Sequence, residues 1–548
     1  MSHDKKKKTI YYDNAVIKIY DLPIFYLPKL SHPDPTVERR SGFLPPSFSD
    51  SKNLGPGFET PYYWDLGMDK DLTLTTKLFS SENPLFLGEY RQAFNKSNLV
   101  SNFGYTEGYK KINENKIAGS KYHFFSKFVK KFKNEKGADN ELKLNVQRVS
   151  NKKYLKLYKI KDDLINYEDD ILENSLSFAH EDEDLFFGIK ASAYEDLTEN
   201  NKNDEYEYIL PDIILDKNLF SSSKYGYADL QSNIVFHNYE TNKFTKFFVN
   251  DIDWKYNQIN YPSGIKGRLL GKLKNVNYEA KNTSVYKSDT TNELFGAVGY
   301  LAEINFFKKM RDNAAHLLTP KMLLRYAPGH MRKETENTRL NHSNVFKLDR
   351  LNTNKNFENG LSATLGFDYE VNKSNKKIDF SIAQIINEKE NQNMPSSSSL
   401  NQRFSDVIGH SELQINDTIS LNYDFALDQN YKSLNYNELS TNFDFNSIKF
   451  DFGYLQEKEH IGDQEYFKGK IDLVQNQYGI FSAETKRNLI TNSAEYYDLS
   501  YEYTNDCLRA GLVYRREFYN DSELEPEDSL MFKITLTPFG DINSPSFK

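Results

Sequence analysis

The stretch DTISLNYDFAL (417–427) carries a large apolar side chain at every second position, in the order Ile419, Leu421, Tyr423, Phe425 and Leu427. The positions between them hold the smaller or polar side chains of Ser420, Asn422, Asp424 and Ala426. Because successive side chains of a β-strand point to opposite faces, this period of two predicts a strand with one apolar and one polar face.

The same alternation recurs along the chain, in DLTLTTKLF (71–79), KYHFFSKFVKKF (121–132), SIKFDFGYL (447–455) and FKITLTPF (532–539). Polar segments rich in Asn, Asp, Lys and Ser separate these runs, and their length and composition are typical of cell-surface loops; 196–207, 331–344 and 387–402 are examples. No helical heptads and no repeat of fixed period stand out. The pattern therefore predicts an all-β protein.

The composition favours a membrane barrel among all-β proteins. Hydrophobic residues make up 38% of the 548 residues, yet there are 38 Tyr and 39 Phe beside 2 Trp. A polar chain rich in Tyr and Phe fits a large antiparallel transmembrane β-barrel with a wet lumen and aromatic girdles. At about 10 residues per membrane strand, roughly 20 to 26 strands fit. Alternation alone does not distinguish lipid from a sandwich core, so a soluble all-β protein stays open as an alternative.

Charge, cysteine content and motifs exclude several functions. The net charge of -8 weighs against nucleic acid as a partner. The single cysteine excludes an internal disulfide framework and a cysteine metal cluster. No GxSxG, HExxH, P-loop or GxGxxG motif occurs, so we predict no enzyme activity, no metal and no cofactor. The N-terminus MSHDKKKKTIYY lacks the apolar region of a signal peptide, and we expect a longer precursor.

A proline-rich segment marks a domain junction. The run YLPKLSHPDPTVERRSGFLPPSF (26–48) resembles the place in the LptD family where a periplasmic β-jelly roll ends and an outer-membrane barrel begins. Three further stretches resemble family motifs in the same order, at 60–78, 403–413 and 505–540. The resemblance implies the last strands of a jelly roll at 1–40, on the periplasmic side, and a barrel at 41–548 in the Gram-negative outer membrane.

The resemblance also implies a function without chemical conversion. LptD-like proteins assemble lipopolysaccharide into the outer leaflet, through the barrel lumen and a lateral gate between the first and last strands. Pro46 and Pro61 fall on the first two predicted strands and match positions where such proteins carry prolines. Proline has no N–H and deletes a ladder hydrogen bond, which would loosen that seam. The alternative is that both prolines only end strands or shape turns.

Three further residues have roles that the resemblance implies. Cys507 matches the cysteine region that forms a disulfide with the N-terminal domain, a bond that an oxidising periplasm permits; a free cysteine is the alternative. Arg39 and Arg40 lie at the junction, where guanidinium groups would meet lipid A phosphates. A solvated charge pair in a linker is the alternative for the two arginines.

The partners implied are lipopolysaccharide, outer-membrane lipid, an LptE-like plug lipoprotein, a periplasmic LptA-like bridge that meets an upstream domain, and the barrel-assembly machinery. The rival function is another large outer-membrane channel or a gated importer. An importer would carry a plug domain before its barrel, and no plug-like segment is present here.

Overall fold

A computed structural model describes most of the chain. The described residues are 2–19, 22–34, 36–37, 39–110, 116–198, 201, 204–240, 242–311, 313–335, 338–373, 376–395, 398–416, 418–458, 463–476, 479–504, 508–518 and 526–536.

The N-terminal part forms a small antiparallel sheet of its own. Its three strands, in the order in which they pair, are β1 (Ser2–Asp4), β2 (Thr9–Ile19) and β3 (Leu22–Pro33). The β3 strand ends within the proline-rich segment, and the next strand already belongs to the barrel. The membership of residues 1–40 in a jelly roll stays a prediction.

All other strands close into one antiparallel barrel. The strands of its first half are β4 (Gly42–Phe43), β5 (Ser47–Ser51), β6 (Gly57–Gly67), β7 (Lys70–Phe79), β8 (Leu85–Phe94), β9 (Ser97–Thr106), β10 (Lys121–Lys133), β11 (Asp139–Val149), β12 (Ile171–Asp182), β13 (Leu185–Asp196), β14 (Tyr206–Ser222), β15 (Gly226–Tyr239), β16 (Lys243–Lys255) and β17 (Ile259–Asn260). Those of its second half are β18 (Ile265–Lys281), β19 (Thr291–Ile304), β20 (Phe306–Lys309), β21 (Ala315–Ala327), β22 (Gly360–Lys373), β23 (Lys376–Asn387), β24 (Val407–Asn416), β25 (Ile419–Leu427), β26 (Leu434–Asp444), β27 (Ile448–Glu457), β28 (Gln464–Asn476), β29 (Gly479–Asn488), β30 (Ser493–Thr504), β31 (Leu508–Glu517) and β32 (Glu527–Leu536).

Each barrel strand pairs with its neighbours in the sequence, and β32 pairs with β5 to close the ring. At three places around the ring, two consecutive strands together occupy the position of one. There β17 continues β16 and pairs with β18, and β20 continues β19 and pairs with β21. The third place is the first of the ring, where β4 and β5 both pair with β6. The described part of the chain thus forms a barrel of 26 strand positions, which confirms the predicted fold class.

The two faces of the barrel differ as the alternation predicts. In β19, Leu294 and Val298 are 61% and 60% exposed, whereas Phe295 and Ala297 between them are buried. The exposed apolar side chains of the described strands lie on the outer face, as in the apolar band with which outer-membrane barrels meet lipid. Buried side chains of the inner face contact chain segments that fold into the lumen.

The two ends of the barrel also differ. At one end the strands are joined by tight turns, such as 68–69 and 95–96. At the other end long connections occur, of which 150–170, 328–359 and 388–406 are the longest with described structure. Short periplasmic turns and long extracellular loops are typical of outer-membrane barrels.

The longest connections contain the remaining regular structure. A single-turn helix, α1 (Tyr154–Leu157), lies in the first of them and is the helix found in the described residues. Within that part of the chain, none of the helical structure has the length and apolar character required to span a membrane.

Candidate functional site at the barrel seam

The seam between the last and first barrel strands has a short ladder. The register of β32 with β5 runs from Ser529 opposite Ser51 to Lys533 opposite Ser47, which is five residue pairs in the described residues. The neighbouring β31–β32 ladder has ten. Because every second pair of an antiparallel ladder exchanges two backbone hydrogen bonds, the described part of the seam is held by fewer bonds than the ladder next to it.

Pro46 lies at the point where the seam ladder ends. It directly precedes β5, and one further step in the register would place it opposite Ile534. Proline has no N–H to donate, so the ladder cannot continue through it with a full set of bonds. The first strand position is broken here, since β4 ends at Phe43 and β5 starts at Ser47, with a shift of one residue in their register against β6.

Pro61 weakens the next ladder of the same region. It lies within β6, and its carbonyl accepts a hydrogen bond from the backbone N–H of Leu44 at 2.9 Å. In an antiparallel ladder such a close pair normally exchanges two bonds, and the second would come from the N–H that proline lacks. Both predicted prolines therefore lie beside the first barrel strand, whereas their role in a gate stays a prediction.

Polar side chains join the first strand to β6 on the lumenal face. Glu59 of β6 accepts a hydrogen bond from the Ser47 hydroxyl at 3.3 Å and pairs with Lys77 of β7 at 3.1 Å. These contacts hold β5 from the side away from the seam.

A segment that folds into the lumen reaches the last two strands. We call residues 150–170, between β11 and β12, the first inward loop. Its Lys159 ammonium lies 3.1 Å from the Glu517 carboxylate, 3.6 Å from Glu527 and 3.0 Å from the Ser529 hydroxyl, to which it donates. Lys159 therefore connects a lumenal segment with the strand that closes the barrel. We call these four side chains the Lys159 latch.

Two further residues, Arg515 and Asn53, make contacts in the same region. Arg515 of β31 donates to the Tyr167 hydroxyl at 3.2 Å and pairs with Glu168 at 3.3 Å, both in the first inward loop. Asn53, in the turn after β5, donates its side-chain amide to Glu527. The buried carboxylate of Glu527 is thus shared by the strands on both sides of the seam.

A compact apolar cluster anchors the first inward loop at its other side. Tyr154, Leu155 and Ile165 are almost fully buried against strand residues such as Leu85 and Phe125. Burial of several such side chains stabilises the loop by roughly 1.5–3 kcal/mol each. The loop is therefore a fixed element of the lumen whose polar edge faces the seam.

Two further loops fill the lumen on the opposite side. The second inward loop comprises residues 328–359 and the third comprises 388–406. They pack together and against the wall through buried side chains that include Met331, Leu340 and Met394. The sequence predicted cell-surface loops for 331–344 and 387–402; both stretches lie in long connections between strands, but several of their side chains are buried, which was not predicted. The sparse apolar residues within these polar stretches were the signal that could have indicated burial.

A buried ion pair fixes the second inward loop. Arg350 is 0% exposed and binds both carboxylate oxygens of Glu358, with 2.7 Å between Nε and Oε2, and it also donates to the Ser362 hydroxyl. Arg325 of β21 donates to the backbone carbonyl of Glu358. Burial alone would raise the pKa of Glu358, but the charges of Arg350 and Arg325 lower it below its ordinary value.

Arg39, in the segment between the N-terminal sheet and the barrel, binds the tight-turn end of the barrel. Its guanidinium donates to the Tyr63 hydroxyl at 2.9 Å, to the Asp71 carboxylate at 2.6 Å and to the carbonyls of Gly67, Met68 and Lys70. The hydrogen bond with Tyr63 raises the pKa of Arg39, which stays charged. A lipid A phosphate at Arg39 stays a prediction, and it would have to replace protein acceptors.

Of the other two predicted site residues, the structure describes Arg40 and not Cys507. Arg40 is exposed and donates to the Thr9 hydroxyl and, at 3.4 Å, to the Lys7 carbonyl, so it contacts the N-terminal sheet. Cys507 lies outside the described residues. Of the predicted residues, the fold brings Pro46 and Pro61 together, while sequence reasoning missed Lys159, Glu527 and Arg515.

The closed ring of 26 strand positions, its apolar outer face and its filled lumen define a large outer-membrane β-barrel protein. Residues 113–506 match the family model described as LptD, LPS transport system D. Since this match spans more than half of the chain, the protein belongs to the LptD family, which confirms the resemblance.

Known proteins of this family match shorter stretches. The LPS-assembly protein LptD of Nitrosococcus oceani is 36% identical over 108 residues, which are 20% of this chain and 14% of that protein. The LptD of Pseudomonas aeruginosa is 36% identical over 92 residues, 17% of this chain and 10% of that protein. Outside the family, a solved structure, that of the alcaligin outer-membrane receptor FauA of Bordetella pertussis, aligns with 93% of this chain and 78% of its own, at 6% identity and a TM-score of 0.31.

Proposed function

We propose that this barrel moves lipopolysaccharide into the outer leaflet of the outer membrane. The saccharide would occupy the lumen, and the acyl chains would leave sideways between β32 and β5. Membership in a family of LPS transport proteins supports the cargo. The five-pair ladder between β32 and β5 is the single observation that carries the lateral route.

The physical reason lies in the cost of opening a barrel in lipid. Each backbone polar group without a partner in hydrocarbon costs several kcal/mol, so a barrel opens most easily where the fewest bonds must break. The first strand position contributes few, because it is interrupted at Pro46 and has lost a donor at Pro61. The prolines thereby lower the barrier to parting these strands.

We propose that the Lys159 latch keeps the seam closed until cargo arrives. The latch joins the first inward loop to β32 from the lumenal side, where an anionic saccharide would pass. Phosphate groups in the lumen would compete with Glu517 and Glu527 for the Lys159 ammonium. Release of that ammonium would free the lumenal side of β32.

The proposed function also implies an orientation in the membrane, roles for Arg40 and Cys507, and partner proteins. The tight-turn end would face the periplasm, where Arg40 would meet phosphates and Cys507 would form a disulfide with the N-terminal domain. The barrel-assembly machinery would insert the chain, an LptE-like lipoprotein would share the lumen with the inward loops, and an LptA-like bridge would deliver the lipid.

A photo-crosslinking experiment in cells tests cargo and route together. A photoreactive amino acid replaces Met531, which pairs with Ser49 across the seam, or Glu370, which lies on β22 far from it. We expect lipopolysaccharide adducts at position 531. Position 370 serves as the matched control for a lumenal position outside the seam.

Each pattern of adducts has its own meaning. Adducts at 370 but none at 531 would contradict the lateral route and leave passage through the lumen. Adducts at neither position, in a folded barrel, would contradict lipopolysaccharide as the cargo and favour the channel or importer alternative.

A further inference from the structure

Two histidines and an aspartate from three different elements meet on the lumenal face. His410 of β24 and Asp424 of β25 are direct cross-strand partners. His342, from the second inward loop, stacks on His410 with ring centroids 4.0 Å apart. The Nδ1 atoms of His410 and His342 lie 2.8 Å and 3.5 Å from the same Asp424 oxygen.

The three side chains supply nitrogen and oxygen ligand atoms at one place on the lumenal wall. A neutral imidazole offers a nitrogen lone pair, which is the form of histidine that ligates a metal. One carboxylate oxygen facing two such nitrogens is a donor set of the kind that transition metals prefer.

The three ligand atoms are close enough to reach a common ion when the two imidazoles turn out of their stack, because each nitrogen lone pair lies in its own ring plane. One ligand atom from each of the three residues lies within 4.8 Å of the others. Metal–ligand bonds of about 2.0–2.1 Å place neighbouring ligands of a tetrahedral site about 3.4 Å apart. The 2.8 Å and 3.5 Å separations lie on either side of that value.

We propose that His342, His410 and Asp424 bind a divalent transition-metal ion such as Zn²⁺, with water in the fourth position. The ion would fasten the second inward loop to β24 and β25. The His342 side chain is 44% exposed, so an ion has a path to it from the lumen. This site does not depend on the cargo of the barrel and would serve as a structural cross-link of the lumen.

Zinc titration of the purified, detergent-solubilised chain without a polyhistidine tag tests the site. We expect one Zn²⁺ bound per chain by calorimetry and a rise in Tm that EDTA reverses. His342→Ala should weaken binding at least tenfold and abolish the rise in Tm. Asp424→Asn is a second variant with the same expectation, used if the first does not fold.

His237→Ala is the matched control, because His237 pairs with the single carboxylate of Glu207 and stacks on Tyr239 instead of on another histidine. It should leave zinc binding unchanged. X-ray absorption of the loaded protein should show two imidazole ligands. The proposal is overturned if folded His342→Ala or Asp424→Asn titrates like the unchanged chain, or if the unchanged chain binds no zinc at micromolar concentration.

Discussion

The seam and the wall opposite to it are built in different ways. Across the barrel from the seam, β18 and β19 are joined by fourteen residue pairs, against five between β32 and β5 within the described part of the chain. The lumenal loops there pack through apolar clusters and the enclosed Arg350–Glu358 pair. At the seam, the partly exposed Lys159 and a few other polar side chains attach the first inward loop to the last two strands.

This difference shows how one barrel can be rigid and still have a place to open. Long ladders and buried ion pairs fix the opposite wall, because a break there would expose many backbone groups to lipid. At the seam the ladder is short, and the contacts that replace it are ionic and reachable from the lumen. Such contacts respond to an anionic cargo, whereas buried apolar contacts do not.

The largest expected effect comes from locking the seam. Ser49→Cys with Met531→Cys, in a chain carrying Cys507→Ser, places two thiols on directly opposed residues. Cross-strand Cβ atoms lie about 4.5–5.5 Å apart, near the range that a disulfide spans. We expect the oxidised barrel to stop surface display of lipopolysaccharide and reduction to restore it, measured by labelling at the cell surface.

The control disulfide joins Ser482 and Ser500, which are opposed on β29 and β30. It should leave display unchanged, because that ladder is not required to open. Equal loss of display from both disulfides would contradict a specific gate at the seam.

The next effect concerns the opposite wall. Arg350→Met removes one partner of a buried pair and leaves the Glu358 carboxylate without compensation, which costs about 3–5 kcal/mol. We expect the free energy of unfolding in urea to fall by that amount. Lys377→Met breaks the exposed pair with Asp379 on β23 and should change stability little. A similar loss in both variants would contradict the importance of burial.

A smaller effect is expected from breaking the Lys159 latch. Lys159→Met leaves the buried Glu527 carboxylate without its ammonium partner, at a cost of about 1–3 kcal/mol. Backbone amides of 527–533 should exchange hydrogen about tenfold faster, which corresponds to ~1.4 kcal/mol. Lys156→Met is the control, since Lys156 pairs with Asp170 inside the same loop. If the amides of 527–533 exchange hydrogen at an unchanged rate in Lys159→Met, the Lys159 latch does not hold the seam closed.

The smallest effect on surface display is expected when a backbone N–H is restored at position 61. Pro61→Thr restores an N–H opposite Leu44, and one hydrogen bond contributes about 1 kcal/mol. We expect a protected amide at position 61 and slower surface display. Pro320→Thr, on β21 away from the seam, should not slow display. Faster display in the Pro61 variant would contradict the view that this proline loosens the first ladder.

The sequence predicted the architecture well and the contents of the lumen poorly. Runs such as 417–427 predict strands because side-chain direction alternates residue by residue, a local property. Pro46 and Pro61 could be located for the same reason, since a missing N–H acts at its own position. The inward fold of 328–359 depends instead on which wall residues it meets, and its polar composition pointed to solvent.

The sequence by itself determined the all-β class, the alternation of faces, the range of strand number and the family, because each depends on residue types at fixed spacing. Only the tertiary structure decided the five-pair seam, the contact of Lys159 with Glu527 and the meeting of His342 with His410 and Asp424. Closure of the ring brings residues hundreds of positions apart into contact, and no local pattern records such pairs.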